Sequence, residues 1–308
     1  MKALVIGGSS YVGNVLLTEL IKNKDSVIAS YNQNISDNTD TSINWVKIDI
    51  TDKDDVKKLL NFDFDIIFHI ASLPGDTGDP QEMVRVNING LQNILDLALE
   101  KKVKKFVLSS SVSAMGWYPP DTKFEKPDYL PVDEKHPCRP KDMYAATKNM
   151  QEILAFTYYH QYKLPLTALR LTLVIGTEGR GGGALWKEFA ISMKEGKEIQ
   201  LPVFSTSEIQ HFVDIRDVAK MHIAAAENEK STGEIFNCCG PEPFTGEEFR
   251  KIIEDLCPGI KIKLDFPYSI SGGDKLYFDM RKAEELLDFK PKYKLADSMK
   301  YLKMWIDN

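Results

Sequence analysis

Through the first half of the chain, short runs of β-branched and apolar residues alternate with longer stretches in which apolar positions recur at helical spacing. Strands are predicted at Ala3 to Ile6, Ser26 to Ser30, Asn44 to Ile48, Ile66 to Ile70, Lys105 to Ser109 and Leu166 to Leu171. Helices are predicted near Val12 to Lys22, Asp54 to Leu60, Met83 to Glu100 and Tyr144 to Gln161. That alternation is the mark of parallel strands joined by helical crossovers, so the fold class is α/β. Within the last helix Met150, Ile153, Leu154 and Thr157 form one apolar stripe, which must bury in this chain or in a partner subunit. Two loops break the pattern. Gly116 to Lys141 carries six prolines, which neither a helix nor a central strand tolerates. Gly176 to Gly183 is glycine-rich and opens a smaller lobe. Beyond it, Phe212 to Ile215 and Glu234 to Asn237 read as strands, and Gly246 to Leu256 and Met280 to Leu287 as helices. No internal repeat is visible.

Composition narrows the function classes. A chain of 308 residues with 43% hydrophobic content has ample material for a core. A formal charge of -6 and the lack of any long Lys/Arg block argue against a nucleic-acid partner. The apolar segment Ala3 to Ile6 is too short for a signal peptide, and no segment approaches the roughly 20 apolar residues that span a bilayer. A soluble cytoplasmic protein without membrane partners is the expectation. The cysteines Cys138, Cys238, Cys239 and Cys257 form no C-x-x-C pair, so no metal site is expected, and small buried thiols suit a reducing compartment.

The chemistry-bearing residues cluster at predicted strand ends. The first strand runs into GGSSYVG, with Gly7, Ser9, Ser10, Tyr11, Val12 and Gly13 opening a helix. Such a turn lets backbone approach a dinucleotide pyrophosphate at a helix N-terminus, although Ser10 stands where a third glycine is usual. Asp49 and Ile50, in KIDITD, close the third strand, and the carboxylate can accept from an adenine amino group. His69 lies in an apolar strand end, FDIIFHIAS, where a hydrogen-bonded structural histidine is expected. Ser111 ends the fifth strand, and Tyr144 and Lys148 stand four apart on one face of the following helix. Bringing a phenol from a pKa near 10 towards neutrality takes roughly 4 kcal/mol, which a nearby ammonium and a positively charged nicotinamide ring can supply.

In this order the motifs resemble the extended short-chain dehydrogenase/reductases, the NAD-dependent epimerase/dehydratase-like proteins. The likeness runs through GGSSYVG, KIDITD, DIIFHIAS, Asn87 in VNINGLQNIL, KKFVLSSSVSAMG, YAATK with Glu152, Arg170, QHFVDIRDVA and DKLYFDMRKAEELLDFKP. It implies a Rossmann-type doubly wound parallel sheet with a smaller C-terminal substrate-binding lobe: residues 1–175 with 212–238, and 176–211 with 239–308. It further implies a homodimer built from two long helices, Tyr144 as general acid/base, Lys148 on the nicotinamide ribose and Ser111 on the substrate oxygen. Cofactor contacts are implied at the glycine loop, Tyr31, Asn32, Asp49, Ile50, Ile70, Ala71, Ser72, Asn87, Ser109, Tyr144, Lys148 and Leu171.

The departures from the family bear on substrate. Val112 and Ser113 stand where dehydratases carry an Asp-Glu pair, and Leu173 and Gln210 where nucleotide-sugar epimerases anchor a diphosphate with Asn and Arg. Arg180 or Lys187 would have to replace that cation. Val27 to Asp40 contains no Lys or Arg for the extra phosphate of NADP, which favours NAD between the two cofactors. The expectation is an NAD(P)-dependent oxidoreductase moving hydride at a hydroxyl or ketone carbon of a sugar derivative, a small-molecule substrate. The rival readings are a nucleotide-sugar epimerase, other ketone substrates, and a non-catalytic dinucleotide sensor.

Overall fold

The computed structural model describes residues 1–35, 40–74, 79–116, 127–176, 183–200, 208–263 and 275–307. Its centre is a parallel sheet. The strands β1 (Lys2–Ile6), β2 (Ser26–Tyr31), β3 (Ile43–Lys47), β4 (Ile66–His69), β5 (Lys105–Ser111) and β6 (Leu166–Leu171) are joined by helices α1 (Tyr11–Lys22), α2 (Lys53–Lys57), α3 (Pro80–Val84), α4 (Leu91–Lys101) and α5 (Met143–Tyr162). Shorter pieces follow: β7 (Val174–Ile175), α6 (Gly183–Glu195), β8 (Ile199–Gln200), β9 (Ile209–Gln210), β10 (Val213–Asp214) and α7 (Ile215–Glu227). The chain then adds β11 (Ile235–Cys238), β12 (Phe244–Thr245), α8 (Gly246–Leu256), β13 (Ile262–Lys263), α9 (Arg281–Leu287) and α10 (Leu295–Asp307). The sheet order is β11-β6-β5-β4-β1-β2-β3. The chain therefore winds outwards on one side of β1 and then on the other, and leaves a crevice beyond the carboxyl ends of β1 and β4.

Strands buried on both faces read as apolar runs, as β1 and β4 do up to His69, whereas β5 is buried throughout but apolar only from Phe106 to Leu108. One face packs on α4 and α5 through Leu4, Ile67, Leu95, Phe106 and Ala155. The other packs on α1 and α7 through Val5, Leu17, Phe68 and Ala219, and the same core cluster continues without a break to Trp186, Phe212, Phe244 and Phe249.

Several elements differ from the sequence pattern for local reasons. The Phe212 to Ile215 strand shrinks to β10, because Asp214 caps α7 by accepting from the Arg216 N–H. The helix expected at Met83 begins at Pro80 and loosens into a π turn over Arg85–Gly90, where Gly90 lets Ile50 pack against the backbone. Helices α6 and α10 were not legible in the pattern. All four cysteines are free, with Cys238 and Cys239 buried and the other two half-buried. Among the described residues no helix is long and apolar enough to cross a membrane.

The C-terminal segment is locked onto the start of α7. Asp214 holds Arg216 in a buried 2.8 Å ion pair and accepts from Ser298 at 2.6 Å. The Arg216 guanidinium lies 3.7 Å from the Tyr293 ring centroid and 4.3 Å from that of Tyr301. Asp217 accepts from the backbone N–H groups of Lys292 and Tyr293, both at 2.8 Å. Burial nevertheless pushes the Asp217 carboxyl up from 3.8 to about 6. The folded chain thus holds this proton more tightly than the unfolded chain. Its contribution to stability is complete below about pH 4 and is lost as pH rises through about 6. Asp217→Asn, neutral throughout, is expected to lose that slope. Thermal unfolding followed from about pH 4 to 7 should show wild type losing on the order of 1–3 kcal/mol relative to the variant, and parallel curves would refute it.

Candidate active site

The dinucleotide-type turn closes where β1 meets α1. Gly7 has φ +86°, and a Cβ there would sit 2.8 Å from the Ala71 backbone nitrogen. A Cβ on Gly13 would lie 2.3 Å from the Gly7 carbonyl oxygen. The unusual Ser10 is explained by its role as the N-cap of α1, its hydroxyl accepting from the Gly13 N–H at 3.2 Å. Ser9 sits half-buried on the rim, Val12 is buried in the first turn, and the Tyr11 phenol turns away to bond the carbonyls of Val174 and Gly176. A helix N-terminus preceded by Gly7, Gly8, Ser9 and Ser10 presents backbone donors of the kind that bind an anion.

Around this turn stand the other strand ends. Tyr31 and Asn32 follow β2, with Tyr31 edge-on to Trp45 at 6.2 Å. Asp49 is half-exposed; Thr51 donates to its Oδ1 through both N–H and hydroxyl, and Arg85 stands 4.0 Å from Oδ2. Ile50 packs behind it against Gly90. Ile70 and Ala71 both donate to the Ile6 carbonyl, and Ser72 begins the loop beyond. Asn87 is fully buried. Its amide pairs with both backbone groups of Leu73 and donates to the Thr147 hydroxyl at 3.0 Å, so it braces this loop against α5. Leu171 pairs with Ser111 across β5 and β6.

Tyr144 stands one residue inside α5, whose N-cap Asp142 accepts from the Ala145 N–H at 2.8 Å. One turn further, Lys148 is buried beneath it, 5.8 Å from the ring centroid, and donates to the Ser109 carbonyl at 2.9 Å. Ser111 accepts from the Ser113 N–H and donates to the Ser113 hydroxyl, both at 3.1 Å. Ser113, expected to stand where dehydratases carry an acid, is thus a hydrogen-bond partner of Ser111. Burial pushes the Tyr144 phenol up to about 12, with Ser111 pulling it down and Asp142 raising it. Burial also brings Lys148 down to about 8, against the raising effect of Glu152. The lowered phenol expected from the Tyr-Lys spacing is therefore not a property of the chain alone. Desolvation outweighs an ammonium that is drawn to the Ser109 carbonyl.

His69 is structural but not hydrogen-bonded as expected: neither ring nitrogen has a partner among the described residues. It stacks on Phe106, and burial plus the nearby Lys148 charge hold it neutral, with a pKa of about 3. Leu173 is partly buried against the core, and Gln210 is buried on β9 and donates to the buried Glu208 carboxylate. Lys187 is half-buried on α6. Arg180, most of the glycine-rich loop and residues 117–126 of the proline-rich loop lie outside the described residues. The rest of that loop is pinned by Arg170, which pairs with Glu152 at 2.8 Å and donates to the Glu134 carbonyl at 3.1 Å. Sequence reasoning passed over His222 on α7, whose Nε2 lies 2.6 Å from the Ser109 hydroxyl. A lone histidine on an otherwise apolar helix face was its only signal.

A model described as the NAD dependent epimerase/dehydratase family matches residues 3–239. The chain is 28% identical over 316 residues to a putative UDP-glucose 4-epimerase of Methanocaldococcus jannaschii, covering 99% of this chain and 98% of that one. It is 29% identical over 268 residues to a UDP-glucuronate 4-epimerase of Thermodesulfobacterium geofontis, covering 85% and 78%. The structure of a UDP-glucuronic acid 4-epimerase from Bacillus cereus in complex with NAD superposes with a TM-score of 0.81 at 25% identity, over 99% of each chain. Gly13→Ala is expected to displace the Gly7 carbonyl and abolish detectable NAD binding while the fold survives. Calorimetric titration with NAD checks it, and wild-type affinity would refute the assignment of this turn.

Proposed function

Since the chain belongs to the NAD dependent epimerase/dehydratase family, we propose that it moves hydride between NAD and a carbinol carbon of a sugar derivative, with Tyr144 handling the accompanying proton. The observation that supports this is the meeting of Tyr144 with Ser111, at the end of β5, and with Lys148, together with the tight glycine turn between β1 and α1. When bound, NAD supplies the hydride acceptor. Gly7 to Gly13 and α1 would hold its pyrophosphate, Asp49 its adenine, and Lys148 its ribose. Ser111 keeps its lone pair on the Ser113 N–H while its proton turns to the substrate oxygen. Tyr144 takes the carbinol proton during oxidation and returns it during reduction. Tyr31 and Asn32 offer no cation, in keeping with NAD rather than NADP.

Leu173 and the Glu208-bound Gln210 give a substrate diphosphate no charge-assisted partner, which supports a free sugar or sugar acid as substrate. A second reading, nucleotide-sugar epimerisation, is favoured by the UDP-sugar 4-epimerases among the relatives. Incubating the protein with NAD and panels of both substrate kinds separates them: net NADH appears in the first case, and isomerised product at constant absorbance in the second. In either, Tyr144→Phe is expected to lower kcat about 10²–10⁴-fold with NAD affinity retained, and unchanged turnover would remove the mechanism. The free thiols suit the cytoplasm. Leu154 of the α5 stripe packs on the core, but Met150 at 43% and Ile153 at 61% stay exposed, and a second copy of this helix is their proposed cover. Ile153→Glu should halve the mass seen by sedimentation, whereas a wild-type monomer would dismiss the dimer.

A further inference from the structure

Ser109 is gripped from both faces of the sheet. Its carbonyl accepts from Lys148 Nζ at 2.9 Å, and its hydroxyl lies 2.6 Å from His222 Nε2. The other ring nitrogen, Nδ1, lies 2.8 Å from the Val218 carbonyl. A carbonyl can only accept, so Nδ1 carries the proton. Burial holds the ring neutral, at about 4, so Nε2 is the acceptor and the Ser109 hydroxyl donates to it. Ser109, Lys148 and His222 are all buried, and the His222 ring packs on Phe68 of β4.

This contact falls where the sheet pairs β5 on one side. β4 stops at His69, opposite Leu108, while β5 runs on through Ser109, Ser110 and Ser111 with only β6 beside it. The carbonyl that receives Lys148 is therefore placed by the β6 ladder together with side chains from the flanking helices. Ser110 is held from the α5 side by Glu152, at 2.6 Å. Ser109 is held from the α7 side by His222.

We propose that His222 is a positioning residue for the proton-transfer pair: by fixing Ser109 it sets where the Lys148 ammonium stands relative to Tyr144. The proposal rests on the reading of Tyr144 and Lys148 as the acid/base pair. Lys148 is faced by Glu152 and Tyr144 from its own helix, by neutral His69 from β4 and by the Ser109 carbonyl from β5. A hydrogen bond from the ammonium to a carbonyl favours the charged form, so loosening Ser109 lowers the Lys148 pKa further.

The test is a pH titration of the Lys148 side-chain nitrogen by NMR in the full-length protein, with the signal assigned by its loss in Lys148→Met. Ser109→Ala keeps the carbonyl and removes the hydroxyl, and is expected to lower the Lys148 pKa by about half a unit or more. His222→Gln, whose amide oxygen can still accept from Ser109, is expected to restore the wild-type value. A Lys148 value unchanged in Ser109→Ala beside a lowered melting temperature would reduce the contact to packing and overturn the proposal. A fall in His222→Gln as large as in Ser109→Ala would overturn it too. Neither cofactor nor substrate enters the titration, so its failure is distinguishable from failure of the hydride-transfer reading.

Discussion

A central strand of a parallel sheet is buried on both faces, yet β5 ends in three consecutive serines, and the site is organised by how each is satisfied. Side chains alternate along a strand, so Ser109 and Ser111 face one way and Ser110 the other. Ser109 reaches His222 on α7, Ser110 reaches Glu152 on α5, and Ser111 caps the turn that follows the strand. An unpaired hydroxyl in any of these places would cost about 1–3 kcal/mol. The polar end of an otherwise apolar strand is thereby tied to both helical layers at once, and it carries the group that receives Lys148.

Glu152 links this strand to the proline-rich loop. Its carboxylate takes Ser110 and both a side and an end nitrogen of Arg170, with all three groups buried. Arg170 then donates to the Glu134 carbonyl, and Glu134 accepts from the Asn237 backbone. Removing one partner of such a pair leaves a buried charge, typically at a cost of about 3–5 kcal/mol. The described part of that loop is thus registered to the same carboxylate that holds the strand.

Most of this sheet was legible because parallel strands buried on both faces leave continuous apolar runs, and the glycine turn was legible because only glycine fits against Ala71. The Tyr144 to Lys148 spacing also survived intact, since a helix face is a local property. Less visible were effects that depend on burial. His69 was expected to find a hydrogen bond, and its neutral state comes instead from desolvation and from Lys148, neither of which sequence spacing reveals. Asn87 belongs to the family pattern, but its position behind the β4 loop follows from a π turn that no periodicity announces. His222 lies 113 positions from Ser109, and only the topology that lays α7 beneath β5 brings them together.

The charge state of the site follows from the same burial. Tyr144 is pushed up to about 12, Lys148 down to about 8, His69 down to about 3 and His222 down to about 4, each towards its neutral form. The chain alone therefore presents a protonated phenol, a proton donor suited to reduction of a carbonyl. Acting as a base is harder, because the phenolate must form in a pocket that disfavours any charge. One unit of pKa is about 1.4 kcal/mol, so the distance from about 12 to neutrality is on the order of 7 kcal/mol, more than a free phenol would need. A positive charge placed beside Tyr144 in this poorly solvated pocket acts strongly on the phenol for the same reason that the pocket disfavours the phenolate. In the proposed reaction, oxidation would thereby depend on the positively charged form of the nicotinamide, and the burial that penalises the Tyr144 phenolate is what would make the proton transfer conditional on it.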